Sequence, residues 1–185
     1  MTMPENALRC YNQFLQGDRS GLENLVRTYS DALTRYAYCY LNDSALAEDV
    51  MEETFAMLIF RRRKFDDAAH FVAYLYKTAR NKSIDLLRRR GREVPLSDIE
   101  NVLSSGGVEQ DLLRRQRNEI LYCSMQQLPS QYREVLYLTY FEDLQTESIC
   151  RIMKRSRKQV YNLHTRAKSA LKELLEKEGV SHEDL

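Results

Sequence analysis

LQTESICRIMKRSRKQVYNLHTRAKSALKEL, residues 144–174, decides the fold. Leu144 to Met153 reads as a short helix, Lys154 and Arg155 as a turn, and Ser156 as the start of a second helix. Ser156 and Gln159 have capping-box spacing, in which each side chain accepts the other residue's free backbone N–H. From there Val160, Leu163, Ala167, Leu171 and Leu174 recur at intervals of three and four and form one apolar face. Arg157, Lys158, Tyr161, Asn162, Thr165, Arg166 and Lys168 are left on the other side, while Gln159 is taken up by the cap and His164 sits at the edge of the core. Between Ser148 and Lys172 there are eight Lys or Arg residues and no Asp or Glu. A basic amphipathic helix alone is usually a solvated face. Joined to a short helix, a tight turn and a firm cap, it predicts a helix-turn-helix whose second helix suits a major groove.

Outward from this motif the chain reads as helix throughout. Six glycines and three prolines in 185 residues leave long segments of helical periodicity. One helix is expected from Ser20 to Tyr40, capped by Ser20 with Glu23, and Asn42 to Ser44 break it. A second spans about Ala45 to Phe60, with Leu46, Val50, Met57 and Leu58 inward, and ends at a basic knot, Arg61 to Lys64. A third runs from about Ala68 to Arg90, closed by Gly91. Periodicity then lapses over residues 92–108, where Pro95, Ser104, Ser105, Gly106 and Gly107 suggest a flexible linker. Helices at about Glu109 to Gln127 and from Pro129 through Tyr140 precede the motif. The expected architecture is all-α, two small helical domains at 1–91 and 109–185.

A net charge of +1 argues for no partner, so the argument rests on where charges sit. Residues 42–53 carry Asp43, Glu48, Asp49, Glu52 and Glu53 and no basic residue; acid here suits a helix N-terminus, and it also suits a basic partner helix. From Lys77 to Arg92 the sign inverts, with seven basic residues and only Asp85 as an acid, beside Tyr74 and Tyr76. Cations interleaved with aromatics fit an unstacked single strand, although tyrosines in helices are more often core. Cys10, Cys39, Cys123 and Cys150 and the three histidines show no metal spacing, so reduced, mostly buried thiols and no metal or cofactor are expected. The start of the chain lacks a targeting pattern, and no apolar run approaches a membrane span, which predicts a cytoplasmic protein.

These stretches resemble a known family. Ala47-Glu48-Asp49-Val50-Met51-Glu52-Glu53-Thr54-Phe55 is similar to the "AEDLxQExF" stretch of the second conserved region of RNA polymerase sigma factors, extracytoplasmic-function group. Tyr74 through Asp85 resembles its "WLxxIARNxxID" continuation, Leu128 through Leu136 the "LPxxxREVxxL" opening of the fourth region, and Val160 through Ala167 the "VxxxxxRA" recognition helix. Tyr74 stands where Trp is usual, Ser148-Ile149-Cys150 replaces "EIA", and Lys154 sits where Gly often makes the turn, a conformation easier for glycine.

The resemblance implies a promoter-reading subunit with no catalytic group. Its implied partners are core RNA polymerase, through the largest-subunit clamp and the flap, promoter DNA in duplex and single-stranded form, and an anti-sigma factor that can hold it at the membrane. By position it gives Asp49, Glu52, Glu53 and Phe55 to polymerase binding. It gives the minus-ten element Arg61, Arg62, Arg63, Lys64, Phe65, His70, Tyr74, Lys77, Arg80, Asn81, Lys82 and Arg88, of which the loop Arg61 to His70 captures a base flipped from the strand and Arg80, Asn81 and Lys82 lie on the helix that follows it. Arg155, Ser156, Arg157, Lys158, Tyr161, Asn162, Thr165 and Arg166 go to the minus-thirty-five element. A helix-turn-helix regulator acting without polymerase explains only the second half; a nuclease needs a metal or nucleophile constellation that does not appear. For a purely helical interaction protein the charge segregation is incidental.

Overall fold

The computed structural model describes residues 3–93 and 124–177, every element of which is helical. The first unit comprises α1 (Met3–Leu15), α2 (Arg19–Leu41), α3 (Ser44–Arg61) and α4 (Ala68–Glu93). The second comprises α5 (Ser130–Leu136), running on into a π-helical turn (Tyr137–Phe141), then α6 (Thr146–Met153) and α7 (Arg157–Lys177). The expected linker, most of the expected helix at 109–127, and Cys123 lie outside the described residues.

Helix α1 was not foreseen. Ala7, Cys10 and Tyr11 line its buried side against α2 and α4, and the approach to α2 is close enough to require a glycine. A Cβ on Gly21 would stand 2.2 Å from the Cys10 carbonyl oxygen. Two helix ends differ from expectation. Asp18, not Ser20, caps α2, accepting from the Ser20 amide at 2.9 Å; an earlier side chain reaches the free amides first. Helix α4 runs through Gly91 to Glu93, because a glycine closes a helix only where the backbone turns left-handed. Where the chain does turn, it uses Asn42 (φ 49°) after α2 and Arg62 (φ 43°) after α3. Asp43 caps α3 through the Leu46 amide at 3.1 Å, and that bond and Arg90 hold its carboxyl below the usual range.

The two units share one apolar cluster instead of forming separate cores. Helix α5 packs on α2, and α6 packs on α4. Tyr36 and Tyr76 from the first unit and Tyr137 and Leu138 from the second are fully buried, with Tyr36 5.1 Å from Tyr76 and 5.9 Å from Tyr137, ring centre to ring centre. Each large apolar side chain removed from water in this way contributes about 1.5–3 kcal/mol.

Candidate nucleic-acid interface

The second unit builds the helix-turn-helix as expected. The Gln159 amide donates to Ser156 Oγ at 3.3 Å and Gln159 Oε1 accepts from the Ser156 amide at 2.9 Å. Lys154 adopts the left-handed conformation (φ 54°, ψ 47°) between α6 and α7, the role in which a glycine is easier. Val160, Leu163 and Ala167 are buried, whereas Arg157, Lys158, Tyr161, Asn162, Thr165, Arg166 and Lys168 are exposed, with Tyr161 70% accessible. Lower down, Leu175 is buried and Leu171 and Leu174 only half so. Two polar residues that the periodicity did not single out orient this face. Gln131 accepts from Arg155 at 2.7 Å, and Glu147 on α6 pairs with Arg157. His164 lies at the core edge 5.6 Å from the Tyr140 ring, and burial followed by the Lys168 charge pushes its pKa down.

On α3 the acids Asp49, Glu52 and Glu53 are exposed on one side. Phe55 does not join them. It is 5% exposed and belongs to the core, because it lies on the same stripe as Val50, Thr54 and Leu58. The apolar part of the outward face is supplied by Ile59 and by Phe60, which is 86% exposed and unannounced by the helical pattern.

The basic loop and α4 form the third surface. Arg61, Arg62, Arg63 and Lys64 are exposed, yet Arg62 donates to the Leu15 carbonyl at 3.2 Å and lies 5.1 Å over the Phe14 ring, so it ties the loop to α1. Phe65 is half-buried, 5.2 Å from Phe71 and 5.1 Å from Tyr74, with Arg63 over its outer face at 5.7 Å. Asp67 starts α4 by accepting the His70 amide at 2.7 Å and pairing with its ring, so His70 is partly structural. Arg63, Lys64, Phe65, His70, Tyr74 and Lys77 surround a cavity of about 270 Å³. The Tyr74 hydroxyl is enclosed without a hydrogen-bond partner among the described residues. Tyr76 is core, as a helix tyrosine usually is. Asn81 is half-buried, Arg88 is exposed near Asp85 at 3.8 Å, and Lys82 pairs with Glu53 at 2.5 Å.

Arg80 is engaged across the two units. Its Nε donates to Glu134 Oε1 at 2.9 Å, the oxygen that also accepts from the Tyr36 hydroxyl at 2.9 Å. Burial opposes the Arg80 charge, but the Glu134 carboxylate and the neighbouring tyrosines outweigh it and raise its pKa. Tyr76 donates to Glu142, Tyr137 donates to the Ala32 carbonyl at 3.1 Å, and Arg151 of α6 completes the wall of the cavity. Local spacing gave no sign of Glu134, Glu142 or Arg151.

These features define an all-α protein carrying a helix-turn-helix with its basic face outward. The Sigma-70 region 2 family matches residues 25–93 and the Sigma-70 region 4 family residues 118–171. The ECF RNA polymerase sigma factor SigM of Bacillus subtilis (strain 168) is 29% identical over 163 residues, 88% of this chain and 99% of that protein. The RNA polymerase sigma-H factor of Pseudomonas aeruginosa is 27% identical over 150 residues, 75% of this chain and 78% of its own length. Among solved structures, CnrH in complex with the cytosolic domain of CnrY superposes with a TM-score of 0.65 at 22% identity, covering 93% of this chain and 98% of that one. The sigma factor RpoE with the anti-sigma factor NepR from Bartonella quintana gives 0.67 at 19%, covering 84% and 96%. The chain belongs to the sigma-70 family of RNA polymerase sigma factors, in its extracytoplasmic-function group.

Proposed function

We propose that this sigma factor divides its work among the three surfaces, between residues 1–91 and 109–185 joined by 92–108, and has no catalytic group of its own. Asp49, Glu52 and Glu53, extended by Ile59 and Phe60, dock on a basic and apolar element of core RNA polymerase. Phe55 supports that helix from inside. The cavity between Arg63 and Lys77 takes a base drawn out of the minus-ten strand, with Phe65 and Tyr74 as ring surfaces and the Tyr74 hydroxyl as a polar contact. Unstacking costs a few kcal/mol, which these contacts return. Lys77, Arg80, Asn81, Lys82 and Arg88 follow the strand, and Arg155 through Arg166 read the minus-thirty-five duplex. Core polymerase works in the bacterial cytoplasm, where we place the protein; no helix among the described residues is long and apolar enough to cross a membrane. An anti-sigma factor, named as the partner of RpoE, is proposed as a further partner here.

The observation that carries this reading is α7, a capped helix whose outward side is exposed and carries no acid from Arg157 to Lys172. The test is reconstitution with purified core polymerase on fragmented genomic DNA. Discrete start sites that appear only when the chain is added support it. Duplex binding with no start sites supports a regulator that works without polymerase.

A further inference from the structure

We propose that the packing of the second unit on α2 and α4 is an autoinhibitory latch, in which the Glu134 carboxylate withdraws Arg80 from the strand-binding surface until the two units separate. It rests on the minus-ten role given to Arg80 and its neighbours. Glu134 has no exposed surface, and both hydrogen bonds to its Oε1, from Tyr36 and Arg80, come from the first unit. A carboxylate without water is tolerable only beside a cation and donors. Its placement on α5 therefore matches the opposing face of α2 and α4. The Tyr40 hydroxyl shares the enclosure. Flanking contacts close the seam, Tyr76 to Glu142 and Tyr137 to the Ala32 carbonyl at 3.1 Å.

Occupancy links the seam to function. Arg80 cannot pair with Glu134 and lie on a DNA phosphate with the same guanidinium edge, and Arg151 stands in the wall of the cavity assigned to the flipped base. A buried ion pair adds little net stability, since desolvation offsets much of the attraction, but it fixes one arrangement over others. The seam also buries Tyr36, Tyr76, Tyr137 and Leu138, so separation exposes apolar surface and the closed arrangement prevails until a partner competes for that surface. The ion pair makes the closed arrangement specific, and its desolvation cost keeps the barrier to opening from growing further.

Cys39 reports on it without a label. It is 1% exposed on α2, and burial first, opposed by the Arg133 charge and aided by Glu134 and Glu142 across the seam, pushes its thiol up to about 12. Cys10, buried between α1 and α2, is the internal control. The full chain, wild type and Glu134→Ala, is pulsed with an alkylating reagent, and each cysteine is followed by mass spectrometry. Affinity for a mixed-sequence single-stranded DNA oligonucleotide is measured alongside. A chain open about a tenth of the time binds about tenfold more weakly than one always open. The expected result is slow labelling of both thiols in the wild type, then faster labelling of Cys39 alone and about tenfold tighter strand binding in the variant. If Cys10 also becomes reactive the variant has unfolded, and Tyr36→Phe with Tyr76→Phe, which keeps the rings, is judged by the same criteria. A wild-type Cys39 that labels freely, no change in Cys39, or opening with no gain in strand affinity overturns the latch. A wild-type chain that closes this way yet yields no start sites with core polymerase overturns the minus-ten assignment instead.

Discussion

Helices α4 and α7 are both basic and both face DNA in the proposed complex, yet they differ in readiness. On α7 the polar side is open, and its pairs, Arg157 with Glu147 and Arg155 with Gln131, involve exposed or partly exposed residues. Surface pairs of this kind contribute little and exchange easily. On α4 part of the polar side is engaged: Arg80 is held by a fully buried carboxylate, Lys82 by Glu53, and α6 covers one flank, while Arg88 stays exposed. In the proposed complex the difference means that the duplex-reading surface is available in the free chain, whereas Arg80 on the strand-holding surface becomes available only through rearrangement. That order suits the proposed role, in which closed DNA is met before opened DNA.

The contrast is broken most severely at Arg80. Arg80→Ala leaves Glu134 in the seam without its cation, a loss of about 3–5 kcal/mol for a buried pair. Separation of the units relieves it, so urea unfolding should change from one transition to two. One unchanged transition would mean that Arg80 is not what holds α4 closed. On the open side, Arg157→Ala with Lys158→Ala should weaken duplex binding at least tenfold, at about 1–3 kcal/mol per base-reading contact, and flatten its salt dependence. Fluorescence anisotropy across a salt series checks both.

Smaller effects test the frame that presents α7. Ser156→Ala removes the cap and should cost about 1 kcal/mol, lowering the melting temperature by several degrees. Lys154→Gly relieves a left-handed side-chain residue and should stabilise by up to about 1 kcal/mol. The opposite signs of these neighbours are the diagnostic result in calorimetry. The smallest effect is at His164. Its folded pKa lies below the unfolded value, so between the two the folded state binds fewer protons than the unfolded chain. Stability should therefore decline slightly on acidification from the ordinary histidine pKa down through the folded one, and His164→Phe should remove that component.

What the sequence disclosed follows from range. The Ser156 and Gln159 cap, the Lys154 turn and the alternation of Val160 with exposed cations are interactions within a few residues, and periodicity reports them directly. Helix α1 escaped because Ala7, Cys10 and Tyr11 are a weak apolar signal until Gly21 lets α2 approach. Phe55 was misplaced because a family motif carries residue identity and not the side of the helix it occupies. The Arg80 to Glu134 pair joins positions 54 apart, and either residue alone reads as an ordinary helix-surface charge.

The division of labour is tested most directly by measuring core polymerase affinity for two double variants against the wild type. Asp49→Lys with Glu53→Lys should lose at least tenfold in core binding, with duplex affinity of the free chain unchanged, while Arg157→Ala with Lys158→Ala should keep core affinity and lose duplex binding. Equal losses of core affinity in both variants, or none in the first, would contradict the account.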